Sequence, residues 1–246
     1  MREMSVLAGI HPVREALRAG QALERISVAK GAAGPRIQEV LDLARSQGVH
    51  VRFEPREALD RLSAGTPHQG IIAIGGAART LSLEDLPAGA RLVVLLDGIE
   101  DPHNLGAVIR TAHAAGAAAV VIPERRAAGL TEAVAKAAAG ALAWIPVVRV
   151  TNLNRAIEDL KRRGFWTYGL DERGTQDYCA GEFNQPTAFV FGAEGHGLHE
   201  LTRKLCDVVV RIPMAGKVAS LNVSVAAGVV LYEWVRRHSG SDSVSS

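Results

Sequence analysis

The sequence predicts an α/β protein: a parallel sheet covered by helices on both faces, preceded by a smaller α/β unit. Two observations carry this. From residue 91 onward, runs apolar on both faces alternate with helical segments, the pattern of strands buried in a parallel sheet. Before residue 75, the strands are shorter and the helices carry one apolar stripe each. A chain of 246 residues, 48% hydrophobic, is long enough to bury such cores.

In the first unit, HPVREAL (residues 11–17) reads as a helix with proline in its first turn, where a missing N–H costs nothing. ISVAK (26–30) and VRF (51–53) read as strands. Residues 35–47 read as a helix with Ile37, Val40, Leu41 and Ala44 on one face. QGIIAIG (69–75) reads as a last strand. GGAARTLSLEDLPAGA (75–90), rich in glycine, alanine and charge, reads as a linker. In the second unit the expected strands are RLVVLLDG (91–98), AAVVIP (118–123), WIPVVRV (144–150), FWTYGL (165–170), TAFVFG (187–192) and DVVVRIP (207–213). The expected boundaries are a first domain over 1–76, a linker over 77–90, a second domain over 91–238 and a frayed tail over 239–246.

Composition narrows the class. The formal net charge of +2 tolerates an anionic partner without demanding one. The two cysteines, Cys179 and Cys206, form no CxxC. Neither a disulfide framework nor a zinc site fits, and no other metal constellation stands out. The N-terminus lacks a signal-peptide core, and the longest apolar runs fall short of the roughly 18 residues of a membrane span. A soluble, cytoplasmic protein is expected.

In parallel sheets, ligands bind beyond the carboxyl ends of the strands. Three such loops, at 97–104, 192–198 and 213–222, each combine glycine or proline with compact polar groups. In the first, Asn104 stands at an expected helix start and Arg110 follows. Taken singly, an N-cap and a surface arginine are the simpler readings. Six residues apart, they lie about 600° apart around a helix and share no face. Acting at one site, Arg110 must reach across or serve a neighbouring subunit. The second, VFGAEGHGL, holds Gly192, Gly195 and Gly197 around Glu194 and His196. Its G-x-x-G-x-G order is not the dinucleotide fingerprint, and the chain has no P-loop motif. The third, IPMAGKVASLNVSVAAG, offers Ser220 and Asn222 at a helix start, with Ser220 as N-cap the simpler reading. The helix after it is apolar nearly all round. Val223, Ala226, Ala227, Val230, Leu231 and Trp234 form one face, and Val225, Val229 and Tyr232 a second.

NLGAVIRT (104–111), FGAEGHGL (191–198) and IPMAGKVASLNVSVAAG (212–228) resemble, in order and spacing, the three motifs of the SpoU family of RNA ribose 2′-O-methyltransferases, the TrmH-like group. GIHPVREAL and HQGIIA resemble the small substrate-binding domain of its RlmB-like members, which act on a guanosine of 23S rRNA. The resemblance implies a SPOUT-type sheet ending in a deep trefoil knot, after an L30e-like RNA-binding domain. It implies S-adenosyl-L-methionine bound largely through backbone at Gly192, Ile212, Met214 and Leu221. It implies Arg110 as the group acting on the ribose hydroxyl, with Asn104, Ser220 and Asn222 fixing ribose and arginine, and Glu194 holding the motif loop. It implies a homodimer through the knot. Rival readings are the same chemistry on tRNA and an RNA-binding protein without catalysis.

Overall fold

The computed structural model describes residues 5–21, 23–63, 65–75, 82–125, 127–193 and 195–239. Residues 77–81 of the expected linker, Glu194, and residues 240–246 of the expected tail lie outside these. The chain divides into two compact units, one of Met1–Thr80 with Ala139–Trp144, the other of Leu81–Ala138 with Ile145–Ser246.

The first unit holds β1 (Ser5–Ala8), α1 (Ile10–Arg18), β2 (Leu23–Ala29), α2 (Pro35–Ser46), β3 (His50–Glu54), α3 (Arg56–Leu62) and β4 (Ile71–Gly75). Its sheet runs β1-β4-β2-β3. β4 is antiparallel to both neighbours, and β2 and β3 are parallel. Alternation along β2 sorts the core. Ile26 and Val28 face α1 and α2, meeting Val13, Leu17, Ile37 and Val40. On the opposite face, Ala29, Ile72 and Ile74 meet Leu59 of α3. β1 and α3 were not anticipated, being short segments with few apolar positions to set a period.

The expected strand at 144–150 begins only at Val147. Trp144 instead follows a short 3-10 turn and is exposed. Its indole Nε1 donates to Glu15 Oε2 at 3.1 Å, and Gln21 Nε2 donates to the Ala143 carbonyl at 3.1 Å. A tryptophan whose N–H is satisfied by a carboxylate is held outside the ladder that its apolar ring suggested.

The second unit holds β5 (Leu92–Asp97), α4 (Pro102–Ala114), β6 (Ala119–Pro123), α5 (Glu132–Ala138), β7 (Val147–Val150), α6 (Leu153–Arg162), β8 (Trp166–Leu170), β9 (Gln176–Asp177), β10 (Thr187–Gly192), α7 (Glu200–Leu205), β11 (Val208–Arg211) and α8 (Val223–His238). The sheet order is β7-β6-β5-β10-β8-β11-β9, and every pairing is parallel. The parallel, helix-covered sheet read from the sequence is therefore present. Every residue of β5 is buried. Val93, Leu95, Val121 and Val190 pack on Ile157 and Leu160 of α6, and α4 and α8 pack together with contacts to β6 and β10. Each such fully buried Val or Leu contributes about 1.5–3 kcal/mol. Parallel pairing sends the carboxyl ends of β5, β8, β10 and β11 to one sheet edge, and the loops that leave them build the site.

Candidate active site

α4 starts earlier than the sequence suggested. Asp101 is its cap, with Oδ1 accepting from the His103 N–H at 2.9 Å, and Pro102 opens its first turn. Asn104 is thus not an N-cap but a buried residue inside the helix. The amide it offers is used across the site: Asn222 Nδ2 donates to Asn104 Oδ1 at 2.9 Å. Asn222, not Ser220, caps α8. Its Oδ1 accepts from the Ser224 N–H at 2.9 Å and from Ser224 Oγ at 2.6 Å. One asparagine therefore starts the last helix and ties it to α4. Ser220 is exposed two residues earlier.

The glycine loop is built on close approach. A Cβ on Gly192 would lie 2.1 Å from the Gly197 carbonyl carbon and 2.4 Å from the Leu198 nitrogen. Only glycine lets the loop fold back so tightly, and the Gly197 N–H closes the turn on the Ala193 carbonyl at 2.9 Å. Gly197 has φ +65°, and a Cβ there would lie 2.5 Å from Asp171 Oδ2.

Asp171 is a pocket-lining residue that the sequence reading passed over. It is buried and directly follows β8. Its Oδ2 accepts from the Leu198 N–H at 3.0 Å, and Arg173 donates to both its oxygens at 2.7 Å. Burial pushes its carboxyl up, but the Arg173 hydrogen bonds and ion pair and the backbone N–H groups of Arg173 and Leu198 outweigh that. They hold it at about 2, below the ordinary 3.8. A carboxyl lowered on folding stabilises above its unfolded value, and that contribution is lost as pH falls through the folded value. Asp171→Asn is expected to lower stability at neutral pH by roughly 2 kcal/mol. Followed by thermal unfolding, the difference from wild type should shrink between about pH 4 and pH 2. A gap that stays constant through that window would contradict the assigned role. A second tie joins the loops after β5 and β10: buried Asp97 accepts from the His199 N–H at 2.9 Å, with His199 Nδ1 2.9 Å from its other oxygen.

Between these loops lies a pocket with about 710 Å³ of open space, part of it continuous with solvent. Gly192, Ile212, Met214, Ser220 and Leu221 all line it, with Phe191, Val223 and Ala226 as an apolar floor and Asp171 and Glu172 at one side. The mainly apolar lining with a few convergent polar groups suits a small organic ligand.

The structure does not bring Arg110 to Asn104. Both lie on α4, about 120° apart around the axis and roughly 9 Å along it. Asn104 is buried and Arg110 exposed, and Arg110 has no ion pair or hydrogen bond with a described residue. Residues 213–220 are exposed without a break. On α8 the face predicted from Val223, Ala226, Ala227, Val230, Leu231 and Trp234 is buried, whereas Val225 and Tyr232 are each 52% exposed. Among the described residues, no group of three or more His, Cys, Asp or Glu side chains is arranged to hold a metal. No described helix is long and apolar enough to cross a membrane.

Comparison with known proteins places these features in a family. Residues 91–232 match the SpoU rRNA Methylase family, and residues 6–80 match the RNA 2′-O ribose methyltransferase substrate binding domain. A relative from Bacillus subtilis, described as a putative TrmH family tRNA/rRNA methyltransferase, is 43% identical over 93% of this chain and 94% of its own length. The SpoU methyltransferase AviRb from Streptomyces viridochromogenes, solved in complex with AdoMet, superposes with a TM-score of 0.81. It is 28% identical, over 95% of this chain and 90% of its own. An AdoMet-bound rRNA methyltransferase from Sinorhizobium meliloti superposes with a TM-score of 0.80 at 25% identity, over 96% of this chain and 88% of its own. With both of its units matched and the motif loops meeting at one sheet edge, the chain belongs to the SpoU/TrmH family of RNA methyltransferases.

Proposed function

We propose that the protein methylates the 2′-hydroxyl of a guanosine ribose in 23S rRNA, using S-adenosyl-L-methionine. The observation that carries this is the pocket walled by the Gly192 loop on one side and by residues 212–222 on the other. The residues present fit the cofactor. The apolar floor of Phe191, Val223 and Ala226 suits the adenine ring, and the exposed carboxylate of Glu172 suits the cofactor's cationic groups. Gly192, Ile212, Met214 and Leu221 would hold it, largely through backbone groups. When bound, it supplies an electrophilic methyl group on a sulfonium.

The protein's own task is to make a weakly acidic hydroxyl nucleophilic and to aim it. The Arg110 guanidinium pairs with an RNA phosphate and stabilises the oxyanion that develops at the 2′-oxygen, and the hydroxyl proton leaves to solvent as the methyl group is transferred. Asn104, Ser220 and Asn222 orient the ribose and the arginine, and Glu194 holds the motif loop. Since Arg110 points away from its own chain's Asn104, it serves the pocket of a second copy. The exposed apolar side chains Met214, Val218, Val225 and Tyr232 are the surface on which that copy docks. The reading therefore includes a homodimer through this region.

In the sheet, β10 lies between β5 and β8 although it follows both in sequence, and β11 flanks β8 on its other side. This order, with the tightly folded loops after β10 and β11, supports a trefoil knot. The first unit is read as an L30e-like domain that binds the RNA, spanning 1–76 before a linker at 77–90. The methyltransferase domain spans 91–238, with a tail at 239–246. The ribosomal substrate is favoured by the full-length likeness to a protein described as an rRNA methyltransferase. A cytoplasmic setting follows from that substrate.

The test offers purified protein methyl-labelled S-adenosyl-L-methionine with unmodified 23S rRNA and unmodified tRNA in parallel. Label on a single guanosine ribose of the rRNA is expected. Label on tRNA alone overturns the substrate, and failure to bind the cofactor overturns the enzymatic reading.

A further inference from the structure

Residues 139–144 follow α5 and precede β7, both elements of the second unit, yet they belong to the first. α1 and the turn after it hold them. His11 Nε2 donates to the Ala139 carbonyl at 2.8 Å. Arg14 Nη2 donates to His11 Nδ1 at 3.2 Å, so the ring proton sits on Nε2, where the bond to Ala139 needs it. Glu15 Oε2 accepts from the Trp144 indole at the far end of the segment, and Gln21 Nε2 donates to the Ala143 carbonyl. The fit is close as well as polar. Ala139 has φ +48° and Gly140 φ +89°. A Cβ on Gly140 would lie 2.9 Å from both Glu15 Cγ and His11 Nε2. A left-handed alanine is disfavoured by itself and persists where its surroundings fix it.

α5 in turn packs on α4. A Cβ on Gly106 of α4 would lie 2.5 Å from Ala137 Cβ, 2.6 Å from the Val134 carbonyl oxygen and 2.9 Å from the Ala138 nitrogen. The two helices therefore meet at the backbone, with no long side chain between them to absorb a shift. Gly106 stands two residues after Asn104 and about one turn before Arg110. Ala138 ends α5, and Ala139 is the next residue. A surface loop tied down only for stability has slack between its anchor and the active site. Here the anchored carbonyl and the helix contact are one residue apart along the chain.

We propose that His11 and Glu15 are positioning residues for methyl transfer, an inference that rests on the RNA-methylating reading above. By holding residues 139–144 they fix the end of α5, and α5 fixes α4 with its Asn104 and Arg110. The HPVREAL segment then serves catalysis without lining the pocket. A misplacement of about 1 Å in the groups that aim a reaction is enough to slow it severely. The rate of transfer depends on the grip of α1 on this segment. Cofactor binding, which rests on the loops after β10 and β11, does not.

The test uses the full chain, an unmodified 23S rRNA transcript and methyl-labelled S-adenosyl-L-methionine, with H11A/W144F as the variant. Both side chains are exposed, so the fold should hold. The single-turnover rate at saturating RNA and cofactor is expected to fall at least about tenfold, the scale of one to two net hydrogen bonds. Affinities for RNA and cofactor should stay at their wild-type values. Amide exchange should quicken in residues 102–110 as well as in 139–144. E15Q keeps an oxygen for the Trp144 indole and should keep most of the rate, and E15A should not. If the double variant unfolds, H11A alone should show the same split, with a fall of about threefold. A folded H11A/W144F with faster exchange in 139–144 and a wild-type rate overturns this inference and leaves the function standing. So does a loss of rate that comes wholly from weaker RNA binding. A wild type that methylates neither rRNA nor tRNA overturns both.

Discussion

Arg110→Ala is expected to cut methyl transfer by about a thousandfold, the scale of losing a donor to a developing oxyanion. Stability should stay within about 0.5 kcal/mol of wild type, because the side chain is exposed and pairs with no described residue. Cofactor affinity should not move, since Arg110 does not line the pocket. Arg110→Lys should recover little, because a point charge does not reproduce the planar fork. The measurement is single-turnover transfer of labelled methyl to rRNA at saturating cofactor. Near-wild-type turnover in Arg110→Ala, with fold and cofactor binding intact, would remove the arginine from the mechanism. The placement of Arg110 on α4 adds a sharper test. If it serves a second copy, Arg110→Ala mixed with a pocket-blocked variant should regain activity, about a quarter of wild type after random exchange. No regain would return the arginine to its own chain.

Gly192→Ala should be the most damaging single methyl group in the protein. The added carbon would sit 2.1 Å from the Gly197 carbonyl carbon and 2.2 Å from its oxygen. Both are backbone atoms, in a turn closed by its own hydrogen bond and tied to Asp171 through Leu198. The neighbour cannot rotate away as a side chain would, so the loop must open into the pocket. Overpacking of this kind costs about 1–3 kcal/mol of stability. The displaced loop should weaken S-adenosyl-L-methionine binding by at least about a hundredfold, read by titration calorimetry. Gly195→Ala is the control. That glycine meets nothing within 4 Å of an added Cβ, so only its φ of +79° opposes the change. It should be the milder of the two. Equal cofactor affinity for wild type and Gly192→Ala would mean the ligand does not rest on this loop.

Much of the second unit was legible because strands buried on both faces leave continuous apolar runs, and RLVVLLDG and TAFVFG can hardly be anything else. The short elements were not. SVLA and REALDRL are too brief to display a period, and β9 is a two-residue strand made by pairing with β11. Two site details were misplaced for instructive reasons. Asp101 followed by Pro102 is already a complete helix start, a cap and then a first-turn proline. Asn104 therefore lies inside the helix, and its side chain bonds to Asn222. Ser220 has the right side chain for a cap, but the residue two further on does the capping. Asp171 was missed although the rule that found the other loops applies to it: it is the first residue beyond β8. Its value shows only when β8 and β10 lie side by side, and nothing local to LDERG announces the partner 27 residues away.

The sheet order also bears on how the protein is made. β5 and β8 leave the ribosome well before β10, the strand that must lie between them. Until then each has an apolar edge with unpaired backbone groups, the kind of surface that attracts stray chains. The pocket is later still, since its wall at residues 212–222 and the Asn222 cap come from the last stretch of the chain. A nascent chain stalled before residue 187 therefore has neither a closed sheet nor a cofactor site. Function therefore waits on residues 187–222, which supply first the strand that fills the sheet and then the wall of the pocket.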